Sequence, residues 1–322
     1  MRIWCNYPLN EPAARLLHEG TRGHELLLHN QEDQPEAVRD STNTAPTDAE
    51  IFFGQPEPEG LLINVAARWV QLSSAGYTRY DREDLRAAFR GRGAALTNSS
   101  HVFDEPCAQH LAAMMLALAR RLPVCLDNQR GPRRWLQGQA GDRQSRLLTG
   151  QTVFIYGFGA IARRLVEILA PLRMQAFGVR RRAQGDEGIP ILTEAEADAR
   201  LGEADHVVDI LPHNDSTRRF FEAERFARCR SGARFYNIGR GATVDQEALA
   251  KVLRDGPLES AYLDVTDPEP LPPEHELWGL PNCYITPHVA GSHADEDERL
   301  VRHFLANLAA FEAGRELADR VF

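Results

Sequence analysis

Short apolar runs recur along the chain, separated by polar or helix-periodic stretches. They fall in two sets. The first comprises residues 2–5, 51–53, 70–72 and 94–97; the second comprises 153–156, 175–179, 206–211, 234–237, 260–264 and 283–286. Runs of this length alternating with helical segments predict parallel strands, so each set reads as one α/β domain with a parallel sheet.

Between the sets, residues 104–122 predict a helix with Pro106 in its first turn, where a missing N–H costs nothing. Its run His110-Leu111-Ala112-Ala113-Met114-Met115-Leu116-Ala117-Leu118 suits a buried core or a subunit interface better than a cofactor site. Residues 127–148 are polar around a lone Trp135 and predict an extended arm or loop; residues 31–59 are polar with four prolines and predict long loops or short helices. Helices are expected at 160–172, at 245–255 with Asp245 as cap and Gly256-Pro257 as stop, and at 294–313. The last carries acids at 295–298, where the helix dipole favours them, and a core stripe of Leu300, Phe304, Leu308 and Phe311.

The chain has 322 residues, enough for two domains and a core that needs no disulfides. Five scattered cysteines with no CxxC argue against zinc or a disulfide framework, and no metal site is expected. That usage, with a Met1–Pro8 opening that lacks an apolar leader core, predicts a cytoplasmic protein. A net charge of −9 argues against nucleic acid and anionic membranes as partners. The longest strongly apolar run, 111–119, is about half the ~20 residues that a spanning helix needs. Basic side chains are nearly all arginine; Lys251 is the one lysine.

The strand at 153–156 runs into Gly157-Phe158-Gly159-Ala160-Ile161-Ala162, which fits the dinucleotide fingerprint G-x-G-x-x-A between strand and helix. Gly157 permits the turn, Gly159 lets the backbone approach a pyrophosphate, and Ala162 keeps helix and strand close. The helix N-terminus supplies N–H donors to an anion. About 20 residues on, where an NAD site places an acid on the ribose, the second strand ends in Arg180-Arg181-Arg182. No acid there would repel a 2′-phosphate and three guanidiniums could bind one, so NADP(H) is expected over NAD(H).

Three motifs in the last third carry candidate chemistry: Asn237-Ile238-Gly239-Arg240-Gly241, Leu263-Asp264-Val265-Thr266-Asp267-Pro268-Glu269-Pro270 and Thr286-Pro287-His288-Val289-Ala290-Gly291. Arg240, Glu269 and His288 offer an anion binder, a carboxylate and a titratable base, the parts that proton transfer at a carbonyl requires.

With these motifs in this order behind the fingerprint, the chain resembles the D-isomer-specific 2-hydroxyacid dehydrogenases. Arg240 and Glu269 stand 29 positions apart and Glu269 and His288 19, spacings usual for that family. The resemblance implies two doubly wound parallel-sheet domains. Residues 1–98 and 291–322 would form a discontinuous flavodoxin-like substrate domain, and 99–290 a Rossmann coenzyme domain with a dimerisation helix and arm. It further implies a homodimer that reduces small 2-oxo acids of the glyoxylate or hydroxypyruvate kind to D-2-hydroxy acids, using NADPH in preference to NADH.

Site roles come from the resemblance. Arg240 grips the carboxylate and carbonyl oxygen of the 2-oxo acid. His288 protonates the oxygen, and Glu269 holds the far ring nitrogen. Asp264 meets the nicotinamide carboxamide, and backbone groups of Ser74, Ala75 and Gly76 take the substrate carboxylate. Leu211, Pro212, Ile238, Gly239, His288 and Gly291 join Gly157 to Ile161 and Arg180 to Arg182 around the coenzyme. His110 and His213 are read as structural or peripheral. The family's Ala-Glu-His is Ala108-Gln109-His110 here, which removes that glutamate. The alternative is a dinucleotide-sensing regulatory protein on the same fold.

Overall fold

The computed structural model describes residues 1–29, 46–135 and 144–322. The chain divides into two compact units, Met1–Phe103 with Ser292–Phe322, and Asp104–Gly291.

In the first unit, strands β1 (Arg2–Cys5), β2 (Glu25–Leu28), β3 (Ile51–Gly54), β4 (Trp69–Leu72) and β5 (Ala95–Thr97) form a parallel sheet of order β2-β1-β3-β4-β5. That is the flavodoxin-like order. Alternate strand residues serve opposite faces. Ile3, Cys5, Ile51, Phe53 and Trp69 pack under the helix Glu296–Glu312, where Phe304 stacks on Phe53 and Trp69 with centroids 4.6 and 5.2 Å away. Trp4, Phe52, Val70, Leu72 and Leu96 pack on the other face with Leu61, Leu85 and Phe89. Burial on both faces is why the central strands read as unbroken apolar runs. Edge strand β2 eluded the sequence reading: its run Leu26-Leu27-Leu28 is as long as that of β3, but it follows Glu25 directly and Glu25 and Leu28 are exposed.

The second unit holds β6 (Thr152–Tyr156), β7 (Gln175–Val179), β8 (Ile191–Leu192), β9 (His206–Asp209), β10 (Ala233–Asn237), β11 (Leu258–Leu263) and β12 (Cys283–Ile285). All pair in parallel in the order β12-β11-β10-β9-β6-β7-β8. This is the Rossmann order, and the chain changes direction across the sheet between β6 and β9. A crevice at the carboxyl ends of those two strands is the standard ligand position of such sheets. Because every strand points the same way, the loops after β6, β9, β10, β11 and β12 gather along one edge.

Several local expectations change. The helix expected at 104–122 is Ser100–Ala119. It begins earlier because the Asn98 side chain accepts from the Ser100 N–H at 3.2 Å, which places Pro106 in the interior. The first part of the expected arm at 127–148 is helical, within Leu122–Arg130; residues 136–143 of that arm lie outside the described residues. So do 30–45 of the proline-containing stretch, near whose end the six-residue helix Pro58–Ile63 begins. The helix Gln246–Asp255 has the expected cap, with Asp245 accepting from the Ala248 N–H at 3.1 Å.

Candidate active site

The fingerprint turn is shaped by close approach. Gly157 has φ 89°, and a Cβ there would lie 2.6 Å from the Ile210 carbonyl oxygen, so the turn after β6 lies against the loop after β9. Gly159 caps the helix Ala160–Leu169, and a Cβ at that position would meet no protein atom within 4 Å. Ala162 is fully buried against the sheet, as its place in the fingerprint requires. An unobstructed helix N-terminus at the switch point fits a pyrophosphate.

Past β7, the arginines have different settings. Arg180 Nη1 donates to Gln184 at 3.2 Å and to Glu187 at 3.3 Å; Arg181 donates to Ser216 Oγ at 2.7 Å; Arg182 is exposed. The sequence reading concerned the strand end alone, and Glu187 adds an acid from farther along the chain. The strand end bears no carboxylate, but the loop after it folds back and buries one beside Arg180. That carboxylate accepts the Gln184 and Gly185 N–H groups, which together with Arg180 hold it below the usual carboxylate range. With its charge met by three donors, Glu187 stiffens the arginine loop more than it opposes an anion.

Arg240, Glu269 and His288 come together at the gathered loop edge. The turn bearing Arg240 is pressed onto the loop bearing Glu269: a Cβ on Gly241 would fall 2.0 Å from the Thr266 carbonyl. Arg240 Nη1 donates to the Gly239 carbonyl at 2.6 Å. Burial lowers the Arg240 pKa, while the nearby Glu269 charge opposes that shift; a guanidinium stays charged regardless. Glu269 Oε1 lies 2.5 Å from His288 Nδ1, and both side chains are about half exposed. His288 itself stands at φ 53°.

Asp264, 2% exposed, fastens the loop that carries His288. Its Oδ1 accepts from Thr286 Oγ1 at 2.5 Å and the Val289 N–H at 3.0 Å, and its Oδ2 from the Ala290 N–H at 2.9 Å. Its carbonyl accepts the His288 N–H at 2.8 Å. Thus only Oδ2 keeps capacity for a further donor such as a carboxamide. Asp209, the fully buried last residue of β9, fastens the Arg240 turn. It accepts from the Leu211 N–H at 2.9 Å and from Thr243 Oγ1 at 2.5 Å, and Thr243 also lies 2.6 Å from the Arg240 carbonyl. Burial pushes the Asp209 carboxyl up to about 7, against the pull of both hydrogen bonds. Neither Asp209 nor Thr286 was singled out from sequence; an acid inside the apolar run His206-Val207-Val208-Asp209-Ile210-Leu211 was the available signal.

Of the other expected coenzyme contacts, Ile238 is buried at the end of β10, Leu211 is half-buried, and Pro212 is exposed with its carbonyl accepting from Thr217. Gly291 closes the second unit. Ser74, Ala75 and Gly76 lie in the first unit after β4. Their three carbonyls accept from Ser99 N–H, Asn98 Nδ2 and Ser74 Oγ. Among the described residues no cluster of metal-ligating side chains occurs, and no helix is long and apolar enough to cross a membrane.

The family profile described as "D-isomer specific 2-hydroxyacid dehydrogenase, NAD binding domain" matches residues 112–290. The chain belongs to the D-isomer-specific 2-hydroxyacid dehydrogenase family. It is an NAD(P)-dependent oxidoreductase of small 2-oxo and 2-hydroxy acids. A glyoxylate reductase of Aeropyrum pernix is 33% identical over 73% of this chain and 71% of its own. A glyoxylate/hydroxypyruvate reductase B of Escherichia fergusonii is 31% identical over 74% of this chain and 72% of its own. Among solved structures, a D-isomer-specific 2-hydroxyacid dehydrogenase of Xanthobacter autotrophicus Py2, in complex with NADPH and MES, superimposes with a TM-score of 0.82 at 23% identity. That alignment covers 100% of this chain and 98% of that one.

Proposed function

We propose that this dehydrogenase reduces glyoxylate- or hydroxypyruvate-like 2-oxo acids to D-2-hydroxy acids with NADPH preferred. The observation that carries the reading is the His288–Glu269 pair at 2.5 Å beside Arg240, on the loop edge of a dinucleotide fold. The reduced nicotinamide supplies the hydride when bound. Gly157, Phe158, Gly159, Ala160 and Ile161 would cradle the pyrophosphate, Leu211, Pro212, Ile238, Gly239 and Gly291 would border the coenzyme, and Asp264 would take the carboxamide. Arg180 to Arg182 would take a 2′-phosphate. The reductase names of relatives and the NADPH in the Xanthobacter structure support substrate and coenzyme.

His288 gives a proton from Nε2 to the substrate oxygen. Glu269 accepts from Nδ1–H, which fixes the ring and aims Nε2 at the substrate. Arg240 holds the 2-oxo acid by two-pronged hydrogen bonding. Ser74, Ala75 and Gly76, whose carbonyls are already engaged, offer backbone N–H groups to the carboxylate. The same reading includes a cytoplasmic homodimer; exposed Leu116, Leu122, Leu126 and Trp135 are apolar surface that a second copy would cover.

A panel of 2-oxo acids assayed with NADPH and NADH tests substrate and coenzyme together. The expected result is turnover of the smallest acids with the better kcat/KM for NADPH. A better kcat/KM with NADH would remove the role given to Arg180. His288→Ala should cut kcat by ~10²–10⁴, the range of a general acid, with NADPH binding intact.

A further inference from the structure

His110 and Tyr262 are 152 positions apart in sequence, yet His110 Nε2 lies 2.5 Å from the Tyr262 hydroxyl, with the ring centroids 5.7 Å apart. Tyr262 is fully buried near the end of β11, and burial raises its pKa, so it keeps its proton. Its hydroxyl lies 2.5 Å from Thr286 Oγ1, which in turn lies 2.5 Å from Asp264 Oδ1.

Proton counting gives these contacts a direction. The Val289 and Ala290 N–H groups both donate to Asp264, so Asp264 is the acceptor end. Thr286 has one hydroxyl proton, and it goes to the carboxylate. Thr286 must then accept from Tyr262, whose single proton is thereby used. A direct Tyr262–Asp264 bond at 3.5 Å is too long to compete. The Tyr262 oxygen is left as an acceptor facing His110, and His110 must carry hydrogen on Nε2.

We propose that His110 is a positioning residue for the reduction: its Nε2–H anchors the one-way relay His110–Tyr262–Thr286–Asp264 and so holds the loop that presents His288. The inference rests on the reading of His288 as the proton donor. Without a donor at 110, Tyr262 is free to turn its proton away from Thr286, and the fastening of Asp264 loosens by one link. His110 and Tyr262 themselves touch neither ligand, and the Asp264 oxygen they brace is Oδ1 rather than the Oδ2 left for the carboxamide, so their loss is read in kcat.

The test uses the full-length protein with glyoxylate as substrate and NADPH as coenzyme. His110→Phe and Tyr262→Phe should each lower kcat about three- to tenfold, the size expected for one or two hydrogen bonds. KM for glyoxylate and the NADPH Kd, measured by fluorescence titration, should stay within about twofold. His110→Gln, whose Nε2 amide can donate, should recover most of kcat. The double variant should be no worse than Tyr262→Phe alone, because both changes act on one chain. Equal losses in His110→Phe and His110→Gln, or multiplying losses in the double variant, would overturn the relay. Tyr262→Phe keeps the ring volume and carries the test if a His110 variant fails to fold. Undiminished His110→Phe beside an inactive His288→Ala sinks the relay alone; an active His288→Ala sinks the function it serves.

Discussion

Two buried aspartates stand at the ends of β9 and β11, the strands on either side of β10, and they do different jobs. Asp264, just past β11, has donors of its own: two backbone N–H groups and the Thr286 hydroxyl. Asp209, at the end of β9, has one N–H and a threonine whose single proton it shares with the Arg240 carbonyl. With Asp209 ionised, Thr243 donates to it. With Asp209 protonated, the acid donates to Thr243 and Thr243 turns to the Arg240 carbonyl. Both arrangements keep the turn joined, and a carboxyl raised to about 7 moves between them near neutrality. Burial alone therefore does not define the role of an acid. The number of donors reserved for it decides whether it is a fixed clamp or a titrating joint.

The same substitution at both places should separate the roles most sharply. Asp264→Asn puts an NH2 group against at least one donor that had faced an oxygen. The conflict should release the His288 loop and cut kcat by ~10²-fold or more, in line with ~1–3 kcal/mol for each unmatched buried group. An Asp264→Asn enzyme with near-normal kcat would erase the distinction. Thr243→Val comes next. It removes the proton shared by Asp209 and Arg240, and a several-fold loss of kcat/KM for the 2-oxo acid is expected, with NADPH binding spared. Asp209→Asn should be the mildest for activity, within about twofold. Asparagine can accept from Leu211 with its oxygen and donate to Thr243 with its nitrogen, as the protonated acid does.

Stability then exposes what Asp209→Asn changes. The carboxyl has a pKa of 3.8 when exposed and about 7 when folded. Between those values the folded protein holds a proton that the unfolded chain has released. Its contribution is fully present below about pH 4 and is lost as pH rises through about 7. Wild type should lose on the order of a few kcal/mol from this group across that window, and Asp209→Asn should lack that component. Thermal unfolding of both proteins from pH 5 to 8 measures the difference; parallel curves would remove Asp209 from the titration.

How much of this was legible in the sequence depends on distance along the chain. Arg240, Glu269 and His288 each come after a strand within a short motif, so their gathering at one edge is a consequence of parallel topology. Central strands were legible because burial on both faces leaves apolar runs; edge strand β2 has such a run but no fully buried residue, and β8 is only two residues long. Glu187 was missed because a loop, not a strand, returns it to Arg180. The supports behind the site were missed for a related reason. His110 meets Tyr262, and Asp209 meets Thr243, only once helix and strands have packed, and no local pattern announces a contact across 152 or 34 positions.

The left-handed backbone of His288 has a price outside catalysis. At φ 53° a histidine carries backbone strain that glycine does not, and glycine cannot deliver a proton. The position is therefore a local stability–activity trade-off. His288→Gly should unfold at a slightly higher temperature than wild type, by an amount worth ~1 kcal/mol, while losing ~10²–10⁴-fold in kcat. Selection for thermal robustness alone would erode the enzyme first at its most useful residue.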